Sequence, residues 1–270
     1  MSEKFLHRKD VPFGDALWQK IDQTVIEAAK SQLCGRRVIK IEGPYGLGFK
    51  VLATGDCPVE EKLPEGVQMA AGCVVPLVAV QKGFRLAVRD IAAFEQSAQP
   101  LDLGEAARAA IDCAKQEDAL IFNGSKKLVT RGLLNADGVG SVKLKPWKDI
   151  GAAAENIIEA VTALDDQGFH GPYALALAPK LYNLLFRQYP QGATTELEHI
   201  REIVTDGIVK APVMASGGVL LCTGGPFVSI VLGQDLLTAF VGPADGNYQF
   251  LVSETLTLWL KEPRSVCVLK

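Results

Sequence analysis

The sequence has little with which to build an active site. Only three histidines occur in 270 residues, His7, His170 and His199, and they are far apart. No HExxH, HxE, GxSxG, Walker A or GxGxxG pattern is present, so the common metal, nucleophile and nucleotide signatures are missing. The glycines of Gly43-Pro-Tyr-Gly-Leu-Gly48 do not follow the dinucleotide fingerprint; Pro44 and Tyr45 read as a rigid turn instead. Glu117 and Asp118 are neighbours on a predicted helix and point in different directions, so they do not form an acid–base pair. Glu60 and Glu61 fall in a loop-rich stretch and read as solvated, and His170 beside Gly171-Pro172 reads as a surface turn residue. No catalytic residue, no metal ligand and no enzyme activity are expected.

Other absences narrow the class further. No stretch approaches the roughly eighteen apolar residues of a membrane span, and the N-terminal stretch has no signal-peptide pattern. Basic residues cluster only in pairs such as Arg36–Arg37 and Lys126–Lys127, which read as solvated faces, and the net charge is −3. Nucleic-acid binding by a basic surface is disfavoured. The six cysteines form no CxxC and suggest neither zinc nor a disulfide framework. Reduced, mostly buried thiols are the simplest reading.

What is present is material for a core. The chain is 48% apolar and 22% charged, as in ordinary folded proteins. Leu17, Trp18, Ile21, Val25, Ala28, Ala29 and Leu33 recur at helical spacing, with Asp15 as the expected N-cap and Gly35 as the expected left-handed C-cap. From about Val51 to Ala70 the pattern weakens into an extended excursion. It buries little within its own chain and reads as an arm that lies on a neighbour. Val74–Val88 reads as two strand segments around Lys82-Gly83. Asp102–Glu105 reads as a capping box that opens a helix with an alanine-rich face. Asp149 is expected to cap the next helix, Pro179 to open another, and Thr195–Glu198 to form a second capping box. Strands are expected at Val219–Cys222, Phe227–Leu232, Gln249–Leu260 and Ser265–Leu269, and helices mixed with non-alternating strands define an α+β class.

An ordered set of short motifs resembles the encapsulin family of linocin-type shell proteins. The set is Leu33-Cys-Gly-Arg36, Glu42-Gly-Pro-Tyr-Gly46, Glu117-Asp-Ala-Leu-Ile-Phe-Asn-Gly124, Arg131-Gly-Leu-Leu134, Gly171-Pro-Tyr173, Leu232-Gly-Gln-Asp-Leu236 and Ser253-Glu-Thr-Leu-Thr257. Each is weak alone; in this order they span nearly the whole chain.

The resemblance implies the phage major-capsid-protein (HK97-like) fold. Its peripheral domain would comprise residues 1–134 and 226–270, with an N-terminal helix over 15–34 and an extended loop at about 49–72; its axial domain would be 135–225. The function implied is that of a shell subunit, with about sixty identical copies or a multiple closing into an icosahedral nanocompartment. The compartment would lie in a prokaryotic cytoplasm, with no membrane and no specific nucleic acid as partners. Its cargo enzyme would be a ferritin-like protein, a dye-decolorising peroxidase or similar, serving iron storage or oxidative stress defence. It would be recognised by a short C-terminal peptide. Carried over by the resemblance, the peptide site would include Val25, Ala29, Leu33, Arg36, Lys40, Leu237, Ala239 and Phe240. Lys40 stands where some relatives carry an acid, so the cargo peptide is expected to be less basic, or acidic, there. Arg187, Gln188, Tyr189, Pro190 and Gln191 would lie in the loop lining the axial pore. No cofactor is expected: where some relatives stack a flavin on tryptophan, this chain has Val88-Arg89-Asp90. The alternatives are a prophage-type capsid protein packaging DNA and a soluble hydrolase.

Overall fold

The computed structural model describes residues 5–58, 64–190 and 192–270. Glu60, Glu61 and Gln191 lie outside the described residues. In chain order the elements begin with α1 (Asp15–Gln32), β1 (Lys40–Glu42), β2 (Val51–Pro58), β3 (Ala70–Pro76), β4 (Val78–Ala87), α2 (Val88–Ser97) and α3 (Gly104–Asn123). They continue with β5 (Gly140–Val142), α4 (Ala152–Asp165), β6 (Tyr173–Leu177), α5 (Pro179–Leu184), α6 (Glu196–Ile203), β7 (Ile208–Lys210) and β8 (Gly218–Cys222). The last three are β9 (Val228–Ala244), β10 (Asn247–Leu260) and β11 (Val266–Leu269).

Two cores organise these elements. In the first, α1 and α3 pack on a four-stranded sheet of order β1-β9-β10-β4. Helix α1 contributes Leu17, Trp18, Ile21, Val25 and Ala29, the predicted stripe. Ala106, Ala109, Ala110 and Ala114 of α3 carry small side chains that allow close approach. Phe250 of β10 is 1% exposed; it stacks on Phe84 at 5.1 Å and takes the edge of Trp18 at 5.8 Å. Burying one such ring contributes about 1.5–3 kcal/mol before its ordering cost. In the second core, α4 and α6 cover a five-stranded sheet of order β5-β11-β8-β6-β7. Leu175, Leu177 and Leu220 meet Ile157, Leu164 and Ile200 there. Among the described residues strands β2 and β3 pair only with each other, as a two-stranded arm.

Local signals and tertiary contacts disagree at several places. Gly14, not Asp15, is the N-cap of α1; Asp15 sits in the first turn, where a negative charge suits the helix dipole. Gly35 does not end α1 but opens a short 3-10 turn, Gly35–Arg37. A Cβ there would meet Ile121 Cδ1 at 2.8 Å, so this glycine serves the close approach of the turn to α3. No capping box forms at Asp102: its Oδ1 accepts from Gly104 N at 2.8 Å while Glu105 accepts from Arg85 N of β4. Helix α4 is capped from a distance, Gly151 N donating to Glu196 Oε1 at 2.8 Å, rather than by Asp149. The box at Thr195–Glu198 forms, and Pro179 opens α5. Strand β4 runs unbroken through Lys82-Gly83 because its whole length pairs with β10. Strand β11, expected with the first lobe, instead pairs with β8 and β5 in the five-stranded sheet. Cys34, Cys113, Cys222 and Cys267 are buried free thiols; Cys73 is disulfide-bonded, against the expectation of reduced cysteines.

Candidate functional site

The sequence motifs converge on one buried knot of charge. Arg36, beyond α1, forms a two-pronged ion pair with Glu117 of α3, Nε–Oε1 and Nη2–Oε2 both at 2.7 Å. Its Nη1 reaches Asp235 of β9 at 2.7 Å, and Nη2 also reaches Glu254 of β10 at 2.9 Å. Glu117 and Glu254 are 0% and 1% exposed, Asp235 about half exposed. Three carboxylates around one guanidinium carry an excess of negative charge. Burial, and then the neighbouring Glu117, push the Glu254 carboxyl up to about 9, so Glu254 carries its proton at neutral pH. Burial works against the Arg36 charge, but Glu117 and Asp235 outweigh it and hold the guanidinium firmly protonated. Asp118 meets the same turn at its other end and accepts from the main-chain amides of Cys34 and Gly35 at 3.0 and 2.9 Å.

Two further motifs tie β9 and α3 to their surroundings. Tyr45 N and Gly46 N donate to Leu232 O and Gly233 O, joining the Gly-Pro-Tyr-Gly turn to β9. Gly43 has φ +106°, and a Cβ there would meet Leu232 O at 2.5 Å. Leu133 N and Leu134 N donate to Ile121 O and Phe122 O, tying Arg131-Gly-Leu-Leu134 to the end of α3. From the sequence Arg36 reads as a solvated cation or a wall of the peptide site, and Glu117 as part of a family motif that forms no acid–base pair with Asp118. The available signal was Glu254, a charge on the face shared by Phe250, Val252 and Leu256, which demands a partner.

The residues carried over for peptide docking do not form one surface. Val25, Ala29, Leu33 and Phe240 are buried in the first core, and Ala239 is buried beside Phe240 on β9. Lys40 is exposed in a groove shared with Arg37, Pro172, Asp206 and Thr223. Leu237 lines a different groove, of about 620 Å³, with Phe5, Tyr45, Leu47 and Gln234. Arg36 lies between the two grooves, lining the first and bonding Asp235 of the second.

The expected pore loop is a tight hairpin-like turn. Gln188 bridges to Thr195, and Tyr189 N donates to Thr194 O at 3.1 Å. The Tyr189 hydroxyl shares a 2.9 Å hydrogen bond with His199 Nδ1, while Gln188 and Pro190 are exposed. Arg187 turns inward: it pairs with buried Glu196 at 2.7 Å and donates to Trp147 O and Lys148 O, so it anchors the loop.

Two sheets, a long helix and an outlying hairpin arm in this arrangement define a protein of the phage-capsid fold class. The structure matches that of the virus-like particle from Pyrococcus furiosus with a TM-score of 0.74 over 94% of this chain and 99% of that one, at 20% identity. The capsid of Myoviridae phage XM1 matches with a TM-score of 0.59 over 87% and 90%, at 10% identity. Sequence narrows the class: residues 3–257 match the Linocin_M18 family, described as encapsulating protein for peroxidase, and the chain belongs to this encapsulin family. The type 1 encapsulin shell protein EncA of Myxococcus xanthus is 34% identical, covering 98% of this chain and 96% of its own length. A diheme-cytochrome-encapsulin shell fusion protein of Kuenenia stuttgartiensis is 30% identical over 94% of this chain and 72% of its own. The chain is a shell protein and not an enzyme. Among the described residues no helix is long and apolar enough to cross a membrane.

Proposed function

We propose that this chain is the repeating tile of a closed icosahedral compartment, on the order of sixty copies or a multiple, that encloses a cargo enzyme in a prokaryotic cytoplasm. Residues 1–134 and most of 226–270 form the peripheral domain in this reading. Residues 135–225, joined by β11, form the axial domain around the symmetry axes, with Gln188–Pro190 at the pore and Arg187 anchoring the loop behind them. The observation that carries the reading is the arm: among the described residues β2 and β3 pair only with each other, and Val51, Val67, Met69 and Val74 stand exposed along or beside them. A two-stranded hairpin is marginal in water by itself and needs a surface to lie on. A neighbouring copy supplies that surface, and repetition of the same contact closes the shell.

Cargo is the finer part of the proposal. Two relatives are named as fusions of a shell to a diheme cytochrome and to a ferritin-like protein, which supports an iron or redox protein as contents. Here the cargo is a separate chain held by a short C-terminal peptide. Electron microscopy of shells purified from the native host tests both parts. Closed hollow particles with internal density are expected. A monomer or small oligomer at micromolar concentration overturns the assembly, and particles always empty overturn the cargo.

A further inference from the structure

Strand β4 is an outer strand of the four-stranded sheet: β10 lies on one side of it, and among the described residues no strand lies on the other. Its ladder with β10 runs from Val78 to Ala87 without a register shift. Its main-chain groups therefore alternate between β10 and the free edge. Arg85 N points to the edge, where Glu105 Oε2 accepts from it at 3.2 Å. Leu77 N, of the same parity, donates to Lys50 O at 2.9 Å. Between these two stops the edge groups belong to Ala79, Gln81 and Gly83. Among the described residues no hydrogen bond reaches them, and all three residues are exposed.

This edge is not built to stay bare. Exposed edges are normally blunted by proline, by a bulge or by a charge on the edge. The segment Ala79-Val-Gln-Lys-Gly83 has no proline and its ladder has no bulge. Its one charge, Lys82, turns to the helix side, Nζ lying 3.6 Å from Asp112 of α3. Gly83 is a second, independent sign. A glycine inside a strand weakens it and often marks the close approach of another backbone. Among the described residues nothing requires it: a Cβ there would meet only Phe250 O, at 3.6 Å, an ordinary contact. The approach it permits is therefore made from outside the subunit.

We propose that Ala79–Gly83 pairs with the same segment of a second copy, antiparallel about a two-fold axis between the two Gln81 residues. One sheet then runs across two tiles. The inference rests on the compartment reading above, whose closed shell contains such axes. Self-complementarity selects the occupant. In this register Gln81 faces itself, and Ala79 faces Gly83 of the second copy, so every free edge group meets its donor or acceptor. Lys82 stands opposite Val80 of the second copy, so no charge meets its like. The small Ala79 and Gly83 let the two backbones close up. The free length is about 17 Å, and it is stopped at one end by Glu105 and at the other by Lys50. A segment bounded in this way pairs once with its own copy and closes, where an open edge would run on into a fibre.

The test uses assembled shells and dissociated subunits of the full chain. Gln81→Cys sets two thiols across the axis, with Cα atoms about 5.5 Å apart, a separation that a disulfide bridges. Mild oxidation of these shells should give a covalent dimer on a non-reducing gel that wild-type shells lack. Gly83→Val should leave the urea midpoint of the subunit unchanged or raise it, since valine suits a strand. It should also raise the concentration needed for assembly by about tenfold. Oxidised Gln81→Cys shells without the dimer overturn the edge contact and leave the compartment reading standing. Gly83→Val protein that closes at the wild-type concentration does the same. Wild-type protein that stays monomeric at every concentration sinks the compartment reading itself. If Gln81→Cys fails to assemble, hydrogen exchange of the wild type decides: the amides of Ala79, Gln81 and Gly83 should be protected in shells and exchange freely in subunits, and equal exchange in both overturns the contact.

Discussion

Arg36 ties four segments of the first core together. It alone neutralises Glu117 and contacts Glu254, both buried, and it bridges the turn after α1, the helix α3 and the strands β9 and β10. Removing one partner of a buried ionic group costs more than the group contributes when complete, because a charge is stranded away from water. Arg36→Ala is therefore expected to destabilise the subunit by about 3–5 kcal/mol, read from urea unfolding. Glu254→Gln should behave differently. Glu254 holds its proton up to about 9, against an ordinary value of 4.5, through burial and then the nearby Glu117. The native state thus binds a proton that the unfolded chain has lost. Its stabilising contribution is complete below about 4.5 and declines as pH rises through about 9. Relative to Glu254→Gln, the wild type should lose stability between about pH 5 and 9, measured as the difference of their urea midpoints across that range. A constant difference would show that Glu254 is ionised in the fold. Little of this was legible in the sequence. The four residues lie in four distant motifs, and no periodicity announces that Arg36 and Glu254, 218 positions apart, share a hydrogen bond.

At the scale of elements, amphipathic stripes were legible and boundaries were not. The stripe of α1, the Thr195 box and Pro179 are local signals, and the fold uses them as read. The turn after α1 and the starts of α3 and α4 are decided by partners far along the chain: Ile121 beside Gly35, Arg85 taking Glu105, Glu196 taking Gly151. Helix α2 was missed because its ten residues bury only Ile91. Among the carried-over docking residues, spacing places Val25, Ala29 and Leu33 on one stripe but does not say whether that stripe faces a ligand or the core; in the subunit their side chains are buried. Glu196 makes a prediction at this scale. One carboxylate caps α4 and pairs with Arg187, which in turn holds Trp147 and Lys148 by their carbonyls. Glu196→Ala should cost about 3 kcal/mol and loosen α4 and the 187–195 loop together. Hydrogen exchange should rise there and stay unchanged in α1 and α3; uniform exchange across both cores would mean the two sheets unfold as one unit.

For the whole molecule the decisive fact is that, among the described residues, the two strands of the arm find no sheet partner but each other. The two cores are complete in the isolated subunit, each with a sheet covered by helices. The arm touches the first core only at its base: β2 and β3 expose Val51 and Val74 and lead to the exposed Val67 and Met69. Apolar side chains on such an arm gain from burial only when a second copy covers them, at up to about 1.5–3 kcal/mol each. Subunit folding and shell closure should therefore separate. Serine at positions 51, 67 and 74 together should leave far-UV circular dichroism and the urea midpoint of the dissociated subunit unchanged. It should also raise the concentration needed for assembly by several tens of fold, since even ~2 kcal/mol lost per contact multiplies an equilibrium constant about thirtyfold. Sedimentation velocity across a dilution series reads both quantities. Stability of the assembled wild type should likewise increase with protein concentration, which the triple variant should not show over the same range. If the variant closes into shells at the wild-type concentration, the arm is not what joins the tiles, and the contact must be sought on the exposed faces of the two sheets.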